Sequence, residues 1–317
     1  MQVVGGYQLF PNINQGTVVT IGNFDGVHLG HQALIKKTVA HAQAHGFLSV
    51  VYTFDPHPVR LLRPSLAPEP ITSLAQKLKL IESLGVDYCI VEPFNYAFAN
   101  QSADDFVKQV LVQTLGVKHV IVGHDFNYGQ KGTGNFETLQ NQAIIYGFSA
   151  EHIEVQAFSH MVASSTKIRS FIRAGQVDGA ALLLGRYYSL EGLVVHGEGR
   201  GHALGFATAN IETDSELIPK FSVYATTTQF LDLPNTKTHR SITNIGVKPT
   251  LSRVDFKPTI ETHIFNFNQD IYGARVRVFF IDRIREEKRF SSLEDLKIQI
   301  AHDIDQAHRI HQKQCTQ

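Results

Sequence analysis

The chain has 317 residues, and its 29 Lys+Arg balance its 29 Asp+Glu, so its formal net charge is zero. This length allows two domains with a core each, and the balanced charge argues against a nucleic-acid-binding protein, which usually carries a basic excess. The two cysteines, Cys89 and Cys315, lie far apart in sequence and imply no disulfide scaffold, and no apolar run approaches the ~18 residues of a membrane span.

The first predicted elements are a buried strand at residues 18–21, a glycine-bearing loop at 22–26 and a helix that begins near Leu29. The residues of the loop are Gly22, Asn23, Phe24, Asp25 and Gly26. Its two glycines allow a tight turn or the close approach of a ligand. Because a helix start exposes unpaired N–H groups and the positive end of the dipole, this stretch predicts a phosphate site.

Two histidines, His28 and His31, are three residues apart and share a face of the first helical turn. Imidazoles there can donate hydrogen bonds to phosphate oxygens in a phosphoryl-type transition state, and we expect Gly30 to leave room for the phosphate. A chance pair among 16 histidines, or half of a zinc site, explains His-x-Gly-His equally well. The glycine loop ahead of it, after a strand, favours the phosphate interpretation.

A second strand, predicted at residues 48–53, ends in a loop that contains Phe54, Pro56 and Pro58. The prolines end strand pairing, so this loop lies at the carboxyl end of a strand. Ligands bind at that edge of parallel sheets, although an ordinary turn explains the same residues. Pro64, Pro68 and Pro70 keep the next segment irregular.

Alternating helices and strands complete this half of the chain. Helices are predicted at residues 74–84, 103–115 and 136–146, and strands at residues 88–91, 119–122 and 152–155. The strand at residues 119–122 leads into another glycine-bearing loop, which we expect at the same sheet edge as the first. There Asp125 can bind a nucleotide hydroxyl or amino group, or cap its own turn. Five alternations of strand and helix predict a parallel sheet with right-handed crossovers.

A further helix opens with the hydroxyl residues Ser165 and Thr166. Hydroxyls at a helix start cap it and can donate to a phosphate, and Arg169 can direct its guanidinium to the same phosphate. A plain N-cap followed by solvated basic residues is the alternative, which the histidine site disfavours.

In this order, residues 22–31, 53–58, 122–129 and 164–169 resemble the adenylyltransferase module of bacterial bifunctional riboflavin kinase/FAD synthetase. The resemblance implies a Rossmann-like nucleotidyltransferase domain in which the FMN phosphate attacks the α-phosphorus of ATP. It implies that ATP phosphates are handled by His28, His31, Ser165, Thr166 and Arg169. It also implies a nucleotide and flavin cleft that includes Asp125, Phe54, Pro56 and Pro58. The pair Asn127-Tyr128 departs from the usual Arg-Phe.

From Gly185 onward, short apolar runs alternate with turn residues without helices between them. Strands are predicted at residues 190–196, 223–230, 241–245, 259–267 and 276–281, and a closing helix at 293–311. This spacing predicts an antiparallel barrel or sandwich.

The second half offers its own candidate site. Gly197, Gly199 and Gly201 form a loop that can wrap a phosphate or simply join two strands. Thr208 and Asn210 share one side of the following strand and supply the hard oxygen ligands that suit Mg²⁺. Glu261 can accept a proton from a substrate hydroxyl. Solvent-facing strand positions are the alternative for these last three residues.

This half resembles the riboflavin kinase module of the same family, through residues 183–186, 196–205, 208–210, 244–250, 261–263, 272–273 and 284–287. That module is a six-stranded barrel with a C-terminal helix. The resemblance implies that Thr208 and Asn210 hold Mg²⁺-ATP, that Glu261 activates the 5′-hydroxyl of riboflavin, and that Arg285 belongs to the flavin loop. Ala207 replaces a usual proline and Ser222 a usual glycine, which loosens one strand and strains a turn if φ is positive there.

We therefore predict an α/β nucleotidyltransferase domain at residues 1–184 and a barrel kinase domain at 185–317. The predicted function is phosphorylation of riboflavin to FMN and adenylylation of FMN to FAD, with Mg²⁺ and ATP. FMN and FAD are substrate and product, not prosthetic groups. The alternatives are FAD synthetase alone with a degraded kinase module, or a non-catalytic flavin-binding regulator. We expect a cytoplasmic monomer or weak oligomer, without nucleic-acid or membrane partners.

Overall fold

The computed structural model describes residues 1–153, 157–158, 161–197, 206–232, 237–247 and 258–314. The chain divides into two compact units, Met1–Ser165 and Thr166–Gln317. This boundary lies earlier in the chain than the predicted boundary at residues 184/185, because the helix Val177–Leu184 packs against strands of the second unit. The predicted functional division at residues 184/185 stays a prediction.

A parallel sheet forms the centre of the first unit. Its strands, in chain order, are β1 Gln2–Val4, β2 Thr17–Ile21, β3 Leu48–Asp55, β4 Tyr88–Pro93, β5 Val117–Gly123 and β6 Ser149–Ile153. They are arranged β1-β4-β3-β2-β5-β6, and every neighbouring pair is parallel. The predicted parallel sheet is confirmed. The strand β1 was not predicted, because a run of three residues is too short to show a period.

Helices cover both faces of this sheet. They are α1 Leu29–His45, α2 Pro58–Leu62, α3 Leu74–Glu82, α4 Tyr96–Ala99, α5 Ala103–Asp105 continued by the π-helix Phe106–Thr114, and α6 Phe136–Tyr146. Two helices follow in the chain, α7 Ser165–Arg173 and α8 Val177–Leu184. A short pair, β7 Ala157–Phe158 and β8 Met161–Val162, precedes α7. Because both faces are covered, all five residues of β2 are buried.

The strand order places one topological feature at the centre of the sheet. From β2 the chain adds β3 and β4 on one side, and then returns to add β5 and β6 on the other. The order therefore reverses between β2 and β5. Ligands of open α/β sheets bind in the crevice at the carboxyl ends of such strands.

The second unit is a closed antiparallel barrel, as predicted. The barrel strands of the described residues are β9 Tyr188–Val195, β10 Ala209–Glu212, β11 Ser222–Phe230, β12 Thr238–Val247, β13 Pro258–Ile264 and β14 Arg275–Glu286. They close in the order β10-β13-β12-β11-β14-β9. A final helix, α9 Leu293–Gln314, packs against β11, β12 and β14.

The two faces of the barrel strands differ in chemistry. Val223, Ala225 and Ile242 pack with α9 on the outside. The opposite face carries a chain of buried hydroxyls, here called the hydroxyl band. Its members, joined in sequence by hydrogen bonds of 2.8 to 2.9 Å, are Thr262, Thr243, Thr226, Ser241 and Thr228. Because each hydroxyl both donates and accepts, the band satisfies polar groups that lie away from water.

Candidate active sites

The first candidate site lies where the strand order of the parallel sheet reverses. The loop Gly22–Gly26 leaves the carboxyl end of β2, and Asp125 follows the carboxyl end of β5. The two glycine-bearing loops share one sheet edge, as predicted, because β2 and β5 are neighbouring parallel strands. This edge is the one at which the fold offers a ligand crevice.

The glycine loop is packed around the ring of Phe24, which is 1% exposed and has φ of 48°. A Cβ at Gly22 would lie 3.2 Å from that ring, so a side chain there would displace it. Gly26 has φ of 79° and a Cβ there would lie 3.1 Å from Ile71. Both glycines are therefore explained by the tight turn and by packing.

Asp25 holds this loop from inside. Its carboxylate accepts hydrogen bonds from the backbone N–H of Ile71 at 3.0 Å and of Thr72 at 3.4 Å. It is 8% exposed, and the hydroxyl of Ser165 donates to its carbonyl at 2.9 Å. In this structure Asp25 thus binds protein groups that fix the loop, a contact that no local pattern reveals because Ile71 is far along the chain.

His28 is the N-cap of α1, and its Nδ1 accepts a hydrogen bond from the backbone N–H of His31 at 3.3 Å. A backbone amide can only donate, so Nδ1 of His28 carries no proton. The ring is then neutral with its proton on Nε2, which makes Nε2 the donor. His28 thus caps the helix through its Nδ1.

The rings of His28 and His31 are stacked, with centroids 3.5 Å apart and planes 18° from parallel. Burial lowers the pKa of His31 well below its usual range, and the neighbouring His28 and Lys77 lower it further. His31 is therefore neutral near pH 7. Its buried Nδ1 has no hydrogen-bond partner among the described residues. The predicted shared face of the two imidazoles is present in the structure.

Gly30 lies against the ring of His28. A Cβ at Gly30 would lie 3.2 Å from Cε1 of His28 and 3.3 Å from its Nδ1. The missing side chain therefore makes room for the capping imidazole, because His28 folds back over the first turn to reach the amide of His31. The predicted room for a phosphate stays a prediction.

Lys77 is a residue of this site that the sequence interpretation missed. It lies on α3 and is 8% exposed, and its ammonium donates to the carbonyl of Asn23 at 3.2 Å. The same group donates to the hydroxyl of Thr53 at 3.3 Å. The available signal was a lysine at an otherwise apolar helix position, next to Leu78 and four residues before Ile81.

The end of β3 leads into a half-exposed cluster of aromatic rings. Phe54 lies 5.7 Å from Phe94 and 6.0 Å from Phe98, measured between ring centroids. Phe106 and Tyr128 extend the cluster toward the end of β5. The sequence analysis identified Phe54 but missed the other rings, because they come from distant elements that converge only in the fold.

The two prolines of the same loop are accessible. The Asp55–Pro56 peptide bond is cis, Pro56 is exposed, and Pro58 is the first residue of α2. His57 caps this helix through its Nδ1, which accepts from the N–H of Val59 at 3.2 Å. The expected irregular segment thus contains one short helix and a 3₁₀ turn at Pro64–Leu66.

Asp125 is exposed in the turn that follows β5. Its backbone carbonyl accepts from the side-chain amide of Asn127 at 2.9 Å, which closes the turn. Tyr128 is 7% exposed, and its hydroxyl donates to Gln142 at 2.6 Å. The unusual Asn127-Tyr128 pair is therefore accommodated by partners within the first unit, and the carboxylate of Asp125 is accessible to solvent.

The predicted phosphate helix is α7. Ser165 is its first residue and ends the first unit, while Thr166 and Arg169 belong to the second. Thr166 is exposed and Arg169 is 7% exposed.

The second candidate site lies on the outer face of the barrel. Asn210 on β10, Glu261 on β13 and Asn244 on β12 are directly opposite one another across three adjacent strands. Directly opposed residues point to the same face with Cβ atoms about 5 Å apart. All three side chains are half-buried. The predicted pair of Asn210 and Glu261 is therefore brought together, and Asn244 completes a polar row that sequence spacing could not reveal.

Gly197 lies against this row. A Cβ at Gly197 would lie 1.9 Å from Nδ2 of Asn210 and 2.8 Å from its Oδ1. The absence of a side chain at Gly197 thus leaves space for the Asn210 amide. Gly199 and Gly201, the other two predicted glycines, lie outside the described residues.

Thr208 precedes the strand that we expected to carry it, because β10 begins at Ala209. The segment before β10 is held by His263, whose Nδ1 lies 2.7 Å from the carbonyl oxygen of Ala207. The ring of His263 also meets Phe206 edge to face at 6.0 Å. His263 therefore secures the residues next to Thr208 where the family's proline is replaced. Ser222 begins β11 without a positive φ, so it strains no turn.

Arg285 is engaged within the second unit. Its Nε lies 3.0 Å from both carboxylate oxygens of Asp303, a buried residue of α9. Its guanidinium also lies over the ring of Phe290 at 5.6 Å. Phe290 and Lys288 border a cavity of about 380 Å³ together with Asp295 of α9. Arg285 thus anchors the segment that lines this cavity.

Two protein-family models match the chain in separate stretches. The model described as FAD synthetase matches residues 10–167, and the model described as riboflavin kinase matches residues 184–311. The first stretch contains His28, His31 and Asp125, and the second contains Asn210, Asn244 and Glu261.

Curated relatives extend the likeness over nearly the whole chain. The bifunctional riboflavin kinase/FMN adenylyltransferase of Haemophilus influenzae is 36% identical over 97% of this chain and 98% of its own. The protein of the same name from Escherichia coli K12 is 35% identical over 91% of both chains. That of Buchnera aphidicola from Acyrthosiphon pisum is 34% identical over 96% of both.

A crystal structure from Streptococcus pneumoniae, described as that of a macrolide-efflux protein, aligns with a TM-score of 0.86. It is 27% identical, and the alignment covers 97% of this chain and 98% of that one. Within the described part of this chain, no helix combines the length and the apolar character needed to cross a membrane.

Proposed function

The chain belongs to the bifunctional riboflavin kinase/FMN adenylyltransferase family, and we infer that its kinase resides in residues 185–317 and its adenylyltransferase in residues 1–184. It phosphorylates riboflavin to FMN with ATP, and it transfers the adenylyl group of a second ATP to FMN, giving FAD and pyrophosphate. FMN is thus a product of one reaction and a substrate of the other. The observation that carries this conclusion is the match of both family models in two separate stretches of one chain.

For adenylyl transfer, we propose that the stacked imidazoles act as neutral hydrogen-bond donors. A phosphate oxygen of FMN attacks the α-phosphorus of ATP, and the bond to the pyrophosphate oxygen breaks. Negative charge shifts among the phosphate oxygens in this step. The Nε2–H of His28 and the positive end of α1 can stabilise that charge. No covalent intermediate with the protein is required.

The remaining residues of this proposal follow from the family motif. Gly22 to Gly26 form the loop beside the ATP phosphates, and Ser165, Thr166 and Arg169 bind them. Asp125 binds a polar group of the nucleotide or flavin.

The aromatic cluster supports a place for the flavin ring. Isoalloxazine is a flat aromatic system, and the half-exposed rings of Phe54, Phe94 and Phe98 offer an apolar surface for it. Pro56 and Pro58 border the same loop. We therefore propose that FMN enters beside the end of β3.

For the kinase, we propose that Glu261 accepts the proton of the riboflavin 5′-hydroxyl while that oxygen attacks the γ-phosphorus of ATP and ADP leaves. Asn210 and Asn244 on either side of Glu261 can orient its carboxylate by hydrogen bonding. Gly197, Gly199 and Gly201 are the candidates for the loop over the ATP phosphates. Arg285 keeps the flavin loop in place through Asp303.

Magnesium is the metal that suits this donor set. Thr208 and Asn210 would hold it through a hydroxyl and an amide oxygen, which are hard ligands. Asn210 lies directly opposite Glu261 on the neighbouring strand, so an amide oxygen and a carboxylate share one face, which is the donor chemistry that suits this ion. When bound with ATP, the ion would neutralise phosphate charge. We also propose a cytoplasmic location and a monomer or weak oligomer without nucleic-acid or membrane partners.

The test is to incubate the protein with riboflavin, ATP and Mg²⁺ and to separate the flavins. Formation of both FMN and FAD is the expected result. FAD from supplied FMN, without FMN from riboflavin, would leave only the adenylyltransferase. The absence of any product, with flavin still bound, would contradict both activities.

A further inference from the structure

Lys77 lies where the hydrogen-bond ladder of two strands ends. The last pair between β2 and β3 is Ile21 with Tyr52, followed by the bond from the Gly22 N–H to the Tyr52 carbonyl at 3.0 Å. Beyond this bond the loop after β2 diverges from the last residues of β3, which stay paired with β4. The ammonium of Lys77 occupies the position between them and is supplied from α3.

The three protons of this ammonium meet three oxygen acceptors. They are the carbonyl of Asn23 at 3.2 Å, the hydroxyl of Thr53 at 3.3 Å and the carbonyl of Phe54 at 3.4 Å. The hydroxyl of Thr53 donates in turn to the Asn23 carbonyl at 3.1 Å. Lys77 therefore joins the loop after β2 to the last residues of β3.

A buried ammonium is an unusual choice for a purely structural link, because a neutral amide could also donate to carbonyls while burying no charge. Burial lowers the pKa of Lys77, whereas the nearby Asp25 and Asp55 raise it, as does the thiol of Cys89. The two carboxylates thus support a charge that burial opposes. The charge itself is consequently the feature that needs a reason.

That charge acts on the histidine pair. Lys77 lowers the pKa of His31, after burial and after the neighbouring His28. It therefore favours the neutral imidazole whose N–H is offered to phosphate. It also adds to the positive end of α1 near the same position.

We propose that Lys77 is a positioning residue for adenylyl transfer. It fixes the loop beside the ATP phosphates relative to the end of β3, which leads into the loop beside the flavin, and it supplies a positive charge behind the imidazole pair. The proposal rests on the adenylyltransferase activity proposed above. The two reacting phosphates belong to substrates held by different loops, so the separation of these loops sets the distance of attack. A misplacement of about 1 Å can slow such a reaction about 10²-fold.

The experiment compares Lys77→Met with the wild type and with Lys79→Met, which removes an exposed lysine from the same helix. FAD formation from supplied FMN and ATP is measured between pH 5.5 and 9, with separate kcat and KM values. We expect Lys77→Met to lower kcat about 10²-fold and to leave riboflavin phosphorylation unchanged. Removing the positive charge raises the pKa of His31, so the acidic limb of the pH profile should move to higher pH. Lys79→Met should match the wild type in both respects.

A second variant distinguishes the effect of the hydrogen bonds made by Lys77 from the effect of its positive charge. Thr53→Val removes one acceptor but keeps the ammonium, so it should lower kcat without moving the acidic limb. It also decides the question if Lys77→Met does not fold, as judged by thermal melting. The inference is overturned if Lys77→Met folds and makes FAD within twofold of the wild-type rate. If Lys77→Met does not fold, the inference is overturned when Thr53→Val makes FAD within twofold of the wild-type rate. A wild-type protein that makes no FAD from FMN would overturn the proposed function instead.

Discussion

Replacing Gly197 by alanine should disable the kinase through Asn210 alone. The new Cβ would lie 1.9 Å from Nδ2 of Asn210, whereas ordinary contact begins near 3.4 Å, so the amide must move by about 1.5 Å. The obstacle is the end of a flexible side chain, so we expect the barrel to remain folded. Metal ligands tolerate only about 0.2 Å, and a 1 Å misplacement is worth ~10²-fold in rate. FMN formation from riboflavin should therefore fall at least ~10²-fold.

The assay is the initial rate of FMN formation with saturating ATP and Mg²⁺, with thermal melting as the measure of folding. Gly179→Ala is the matched control, because a Cβ there lies 3.5 Å from Phe171 in ordinary contact. A double variant with Asn210→Ala should be no slower than Asn210→Ala alone, since both act at one amide. A folded Gly197→Ala that retains wild-type kinase activity would refute the role given to Asn210.

Three further predictions concern the separation of the two chemistries and the effect of pH. Glu261→Gln should lower FMN formation by ~10²–10⁴-fold but leave FAD formation from supplied FMN unchanged; loss of both in a folded variant would contradict two separate sites. His28→Ala should lower FAD formation by ~10²–10³-fold, accumulate FMN, and regain FAD formation when mixed with Glu261→Gln; a rate within twofold of wild type would contradict its role. Burial lowers the pKa of His31 and His119. The unfolded chain therefore binds more protons than the folded one below about pH 6.5. The free energy of unfolding should consequently fall between pH 7 and 5.5, by up to ~1.4 kcal/mol per pH unit for each histidine. Urea unfolding at several pH values measures this loss, which should be smaller in His119→Gln; a stability that does not fall would contradict the two shifts.

Local sequence patterns were sufficient for the elements and for the loops at their ends. The apolar run before Gly22 and the helical period after it predict a strand, a loop and a helix, because each signal lies within a few residues. Likewise, short alternating runs without helices between them predict the barrel. The parallel sheet follows from the order of these elements.

Contacts between distant residues could not be predicted in this way. Asp25 looked like a ligand residue because nothing near it in sequence reveals the amides of Ile71 and Thr72. Lys77 was missed because its acceptors lie on other elements. The row of Asn210, Glu261 and Asn244 depends on strand register, which a single-residue shift would destroy.

The hydroxyl band of the barrel restricts how the strands can align while the chain folds. If β12 slipped by one residue against β11, Ser241 and Thr243 would turn toward α9 and leave Thr226 without its two partners. A buried hydroxyl without a partner costs about 1–3 kcal/mol, whereas aliphatic side chains would lose less in the same slip. Barrels with a shifted strand are consequently higher in free energy than the native one, so the polar interior favours a single strand register during folding.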